Sequence, residues 1–179
     1  MMTRTLAVAV AMLFALPAVA DDKFTLSGEN TKISFVGTKK DGKHTGGFKT
    51  VTGTATCPAK DFTKLTLELD IDCESLFSDD EKLTGHLKSP DFFGTKDNPK
   101  ATFKITKTEN TDKGCSLTGD FTMLGKTKAI TVPATIKMDG DTLTITSDFK
   151  INRQDWGMSY GKGKIDDDVE LKVAVTAKK

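Results

Sequence analysis

Apolar and polar residues alternate with a period of two along most of the chain, the spacing of strands with one dry face and one wet face. Leu65, Leu67, Leu69 and Ile71 alternate with Thr66, Glu68 and Asp70. Phe103 and Ile105 do the same, then Leu117, Phe121 and Met123, then Ile130, Val132, Ala134, Ile136 and Met138. Leu143, Ile145, Phe149 and Ile151 follow, and Val169, Leu171, Val173 and Val175 close the series. Two weaker stretches come first: Ile33 with Phe35, and Phe48 with its Gly- and Thr-rich continuation to Thr56. The pattern predicts about eight strands.

The punctuation between these stretches predicts how they pair. Asp41-Gly42, Asp112-Lys113-Gly114 and Asp139-Gly140-Asp141 are hairpin turns by composition. Linkers this short favour antiparallel neighbours, because parallel pairing needs a long crossover. One stretch departs from the period. Ser78-Asp79-Asp80-Glu81 has the form of a capping box, with Ser78 as the cap and Glu81 reaching back. Leu83 and Leu87 then stand four apart before Pro90, which predicts a short helix between the third and fourth strands. The expected fold is all-β: a single extended antiparallel eight-stranded barrel with that helix inserted, a two-sheet sandwich being the alternative.

The first twenty residues belong to a different category. Arg4 precedes an apolar run from Leu6 to Leu16, and Ala18-Val19-Ala20 supplies the small-x-small pattern of a cleavage site. The run is shorter than the roughly 20 residues a spanning helix needs. Residues 1–20 are therefore expected to be a cleaved secretory signal, residues 21–179 one domain, and the mature chain exported and not membrane-spanning. Removing Arg4 from the 26 Lys and Arg leaves 25, against 25 Asp and Glu. A neutral chain with interspersed signs offers no basic footprint for nucleic acid. The strands do not reveal which outer face is covered, so a homodimer is compatible with the sequence.

Several motifs, in order, resemble one family. His86-Leu87-Lys88-Ser89-Pro90-Asp91-Phe92-Phe93, followed by Asn98-Pro99-Lys100-Ala101-Thr102-Phe103, is similar to the central signature of the YceI-like family. Ile33-Ser34-Phe35 with Gly47-Phe48 and Gly53 resembles its opening strands. The run from Leu117 to Lys128 resembles its central hairpin, and Phe149 to Arg153 with Asp155-Trp156-Gly157-Met158 resembles its late strand and turn. The resemblance spans essentially the whole mature chain. It implies an exported, lipocalin-like barrel, periplasmic in location, that holds an isoprenoid quinone, a polyprenyl chain or another long-chain lipid, with no cofactor and no enzymatic activity. The three cysteines are a departure from that pattern.

The chemistry-bearing residues point the same way. His44 and His86 lack a convincing third metal ligand. The serines have no nucleophile-elbow glycines around them. Gly161-Lys162-Gly163 is too short for a phosphate loop, and Asp166-Asp167-Asp168 reads as a solvated turn, a weak calcium site being the alternative. Apolar burial alone can hold a lipid: at about 0.8 kcal/mol per CH₂, ten carbons contribute roughly 8 kcal/mol, equivalent to about micromolar affinity before ordering costs. The expected lining is Phe35, Phe48, Leu67, Leu69, Phe92, Phe93, Phe103, Phe121, Met123, Phe149, Trp156 and Met158, with Tyr160 near the mouth. Ordinary core packing is the competing role for each. An enzyme acting on a lipid in the same cavity and a barrel with a filled core are the competing functions. Cys57 and Cys115 fall at one end of such a barrel and Cys73 at the other, so a Cys57–Cys115 disulfide is expected.

Overall fold

A computed structural model describes residues 22–179; the expected signal segment lies outside the described residues. Eleven strands form one antiparallel sheet. They are β1 (Asp22–Ser27), β2 (Thr31–Lys39), β3 (Gly42–Phe48), β4 (Val51–Cys57), β5 (Thr66–Asp72), β6 (Leu76–Ser78), β7 (Lys100–Thr111), β8 (Gly114–Met123), β9 (Lys126–Asp139), β10 (Thr142–Asn152) and β11 (Asp168–Lys178). One α-helix, α1 (Glu81–Lys88), lies between β6 and β7.

Eleven strands exceed the eight expected, and the register shows why. Asp22 pairs with Cys57 and Ser27 with Thr52; further along, Ile33 pairs with Phe48 and Lys39 with Gly42. β1 with β2, and β3 with β4, are thus the two arms of one long hairpin, each broken by a kink. β4 pairs β5 while β3 pairs β6, so β5 and β6 form a third broken ribbon. Three kinked ribbons and five continuous strands give eight staves. β11 pairs β2, which closes the ring.

The kinks share backbone bonds. Lys49 donates its N–H to the Ser75 carbonyl at 3.2 Å, and Asp72 to that of Thr50 at 3.1 Å. Gly28 sits at the first kink because a Cβ there would overlap the Lys49 carbonyl oxygen. Such bends let a closed sheet turn sharply while staying paired. No turn residue marks Lys49-Thr50, which is why β3 and β4 read as one weak strand in the sequence. β1 carries only two inward apolar residues, Phe24 and Leu26, and was missed for lack of period.

The helix cap also differs from expectation. Asp80 accepts from the Leu83 backbone N–H at 2.7 Å and is the N-cap; the Ser78 hydroxyl donates to the Asp80 carbonyl instead. Asp is as good a cap as Ser, and here it stands two residues nearer the helix. α1 fills a gap in the wall. β7 begins at Lys100 opposite Asp72, so β6, which continues beyond Asp72, pairs only with β3. The helix and the turn after it occupy the missing stretch. That turn is fixed by bonds from the Phe93 N–H to the Leu87 carbonyl and from Gly94 to Ser89.

Candidate functional site: an apolar lumen open at one end

The two ends of the barrel are built differently. At the end holding the β7–β8 and β9–β10 turns, Phe24, Leu26, Ala55, Cys57, Leu143 and Ala177 are at most 1 % exposed and make a solid floor. Above them lies a cavity of about 300 Å³, at the lower bound for sites that enclose small ligands. Along β11 its lining runs from Val169 to Val175, six residues of strand, or roughly 20 Å of rise.

The expected lining residues can now be placed. Phe35, Phe48, Leu67, Leu69, Phe92, Phe93, Phe103, Phe121, Met123, Phe149 and Met158 all face the cavity. They converge because period-two alternation on every strand aims one parity inward. Phe103, Phe121, Phe149, Leu171 and Val173 are only partly buried although they point into the barrel. Their remaining exposure is to the lumen, so the centre is not filled. Gly46 contributes by omission: it pairs with Phe35, and a Cβ there would strike the Phe35 ring.

Trp156 departs from the expectation. It is 2 % exposed but does not line the lumen. Its Nε1–H donates to the Phe121 carbonyl at 3.2 Å, and its ring packs edge-on against Phe121 with centroids 5.2 Å apart. It buttresses the wall from behind and lines an outer depression together with Leu124 and Lys126. In a single sequence an inward aromatic and one packed behind the wall look alike.

The disulfide expectation is corrected as well. Cys57, Cys73 and Cys115 are all free and buried. Cys57 and Cys115 do share the floor end, but β5 and β7 stand between β4 and β8. Three inter-strand spacings amount to about 14 Å, far beyond the roughly 6 Å Cα separation of a disulfide. Being at one end is not being adjacent. Burial pushes the Cys73 thiol up to about 11, and burial likewise raises Cys57 and Cys115.

Polar lining is concentrated at the open end. Thr38 and Lys39 end β2, His44 lies on β3, His86 on α1, and Arg153 and Tyr160 belong to the segment after β10. Ser147, deeper in, is satisfied by donating to the Pro133 carbonyl at 2.6 Å. The sequence marked the two histidines only as an incomplete metal pair; the structure gives each a carboxylate partner. His44 Nδ1 lies 2.9 Å from Asp79, and His86 Nε2 2.9 Å from Asp91. Asp79 is held below the ordinary carboxylate value by the Thr45 backbone N–H first and by His44 second. The His86 ring meets Phe92 and Tyr160 edge-on at 5.0 and 4.9 Å, which joins α1 to the segment after β10 across the mouth.

Arg153 organises that segment from beneath. Only 2 % exposed, it donates to the carbonyls of Met158 at 2.7 Å, Tyr160 at 2.8 Å, Asp166 at 3.1 Å and Ile165 at 3.3 Å, and it pairs with Asp167. A buried guanidinium is tolerable when its five donors are met in this way. No motif in the chain announces this role, since the partners are main-chain atoms.

A closed antiparallel ring with a plugged floor, an inserted helix and an apolar lumen opening at one end defines a lipocalin-like barrel. The chain belongs to the YceI-like domain family, whose model matches residues 24–177. It is 28 % identical over 136 residues to the protein YceI of Escherichia coli O17:K52:H18, covering 73 % of this chain and 71 % of that one. Among solved structures it is similar to Burkholderia cenocepacia BcnA, with a TM-score of 0.77 at 24 % identity over 83 % of this chain and 96 % of the other. A polyisoprenoid binding domain from Saccharophagus degradans, implicated in plant cell wall breakdown, superposes with a TM-score of 0.67. That match has 13 % identity and covers 89 % of this chain and 99 % of the domain, a likeness of fold.

Proposed function

We propose that this protein is an exported, periplasmic binding protein that carries one long apolar or amphiphilic lipid, an isoprenoid quinone or a polyprenyl chain, without altering it. One observation carries the reading: Phe103, Phe121, Phe149, Leu171 and Val173 keep exposed surface inside a closed barrel, where solvent-facing apolar area is unfavourable by about 25 cal/mol per Å² until a guest covers it. Family membership supports it, as does the fold shared with a domain that binds polyisoprenoid. Polar groups clustered at the mouth suit a molecule with one polar head, entering tail first. The signal-like first twenty residues support export.

Native mass spectrometry of the protein purified from lysate that retains membranes tests the proposal. The expected result is an adduct of several hundred daltons, recovered chemically unchanged in organic solvent. A barrel that emerges empty and leaves Trp156 fluorescence unaltered on adding quinones would refute it, and turnover of the extracted molecule would replace carriage with catalysis.

A further inference from the structure

The open end of the barrel carries a charge arrangement that cargo binding does not use. The turn between β2 and β3 holds Lys39, Lys40 and Lys43, and the segment 157–167 holds Lys162 and Lys164. The two are tied together. Lys39 forms a β-bridge with Ile165, the Asp166 N–H donates to the Thr38 carbonyl at 2.9 Å, and the Thr38 hydroxyl donates to the Asp166 carboxylate at 2.6 Å. All five lysines are exposed, and among the described residues none of them forms an ion pair. On the barrel wall, by contrast, Lys104, Lys100, Lys150 and Lys172 each pair with an acid on a neighbouring strand.

The acids near this lip are few. Arg153 neutralises Asp167 from inside, which leaves five lysines against Asp41, Asp166 and Asp168. That excess of two positive charges sits on an expected mature chain that is formally neutral. Asp79, Asp80 and Glu81, at the start of α1, stand on the β3 side of the mouth, where His44 and the Thr45 N–H hold Asp79. Tyr160, 45 % exposed, stands beside the lip, and Lys39 and Tyr160 also line the lumen. A basic surface with an amphipathic aromatic, continuous with an apolar cavity, matches the chemistry of a bilayer interface: anionic head groups outside, hydrocarbon within.

We propose that this lysine lip docks the open end of the barrel on an anionic lipid bilayer. Docking would place the lumen beside the membrane from which an apolar cargo enters or to which it returns. The inference builds on the lipid-carrier reading but is tested on lysines that do not line the lumen, Lys40, Lys43, Lys162 and Lys164, so the two fail separately. An anionic bilayer is favoured over a soluble polyanion because the lip surrounds an apolar opening, which a nucleic acid or acidic protein would leave unused.

The test is flotation of the mature protein with vesicles of phosphatidylcholine alone or with about one third phosphatidylglycerol. Binding to the mixed vesicles should exceed binding to phosphatidylcholine by about tenfold or more and collapse when salt rises from about 0.05 to about 0.5 M. Reversal of the lip outside the lumen (Lys40→Glu, Lys43→Glu, Lys162→Glu and Lys164→Glu together) should abolish it. Lys113→Glu with Lys137→Glu, at the floor end, should leave it intact. Circular dichroism and uptake of an apolar fluorophore from detergent solution, both unchanged, would show that the reversed lip is folded and its lumen competent. Equal binding to both vesicles, full binding by the lip variant, or equal competition by a short DNA duplex would each overturn the proposal.

Discussion

The floor and the lumen of this barrel are made of the same residue types on the same strands, yet they obey opposite rules. At the floor, Phe24, Leu143 and Ala177 are sealed from solvent. Two to six residues along the same strands, Ile145, Phe149, Val173 and Leu171 face the cavity. The difference is not hydrophobicity but which neighbours arrive. β1 brings Phe24 and Leu26 to the floor end only, since the stave kinks at Gly28 before continuing as β2. One short strand decides where the barrel is filled. Apolar patterning therefore specifies a greasy interior, while stave length and kink position specify how much of it stays empty.

The sharpest way to break this contrast is a pair of identical substitutions. Leu143→Ala, in the floor, should destabilise by about 3–5 kcal/mol because it opens a new void among packed neighbours. Leu171→Ala, facing space already empty, should cost only about 1 kcal/mol, since little contact is lost. Urea unfolding of the two variants measures both, and equal costs would mean that the lumen is packed in solution. Next in size is a filling substitution. Val173→Trp should leave the unfolding midpoint within about 1 kcal/mol of the parent while reducing uptake of an apolar ligand by about tenfold or more, read by fluorescence titration. A variant that fills the lumen and still binds would move the ligand site elsewhere. The smallest effect concerns the thiols. With Cys73 at about 11 and all three cysteines buried, a thiol reagent at about pH 8 should label none of them in the native barrel and three after unfolding in guanidinium. A single labelled thiol in the unfolded, unreduced protein would restore the disulfide that the strand order excludes.

Much of the architecture was legible from alternation alone, because in a barrel every stave repeats one simple rule. β7 to β11 follow that rule, and hairpin turns fall at Lys40-Asp41, Asp112-Lys113 and Gly140-Asp141 as the Gly- and Asp-rich punctuation implied. The kinked staves were illegible for a physical reason. Their breaks at Gly28 and Lys49-Thr50 are set by bonds to residues on other staves, and no local composition encodes them. Eleven of the twelve expected lining residues face the cavity and Trp156, in a turn outside any alternating run, does not; Leu171 and Val173 line it too, because alternation gives an inward side without separating lumen from filled core. The rim of the mouth was the least legible part. Arg153 works through main-chain carbonyls, and Lys39 and Ile165 become neighbours only once β11 has come to lie beside β2. The cysteine pairing failed because strand order around the ring, not height along it, sets distance.

The unpaired stretch between β6 and β7 has a mechanical consequence. Elsewhere, except where β9 and β10 part beyond Thr135 and Thr146, widening the ring means breaking several cooperative ladder bonds between adjacent strands. Along this stretch no strand-to-strand bond exists among the described residues, and the helix that covers it is held by side chains and turn contacts, among them the edge-on contact of His86 with Tyr160. A bulky molecule passing through the wall there would have to displace the helical panel but no rung of the surrounding sheet.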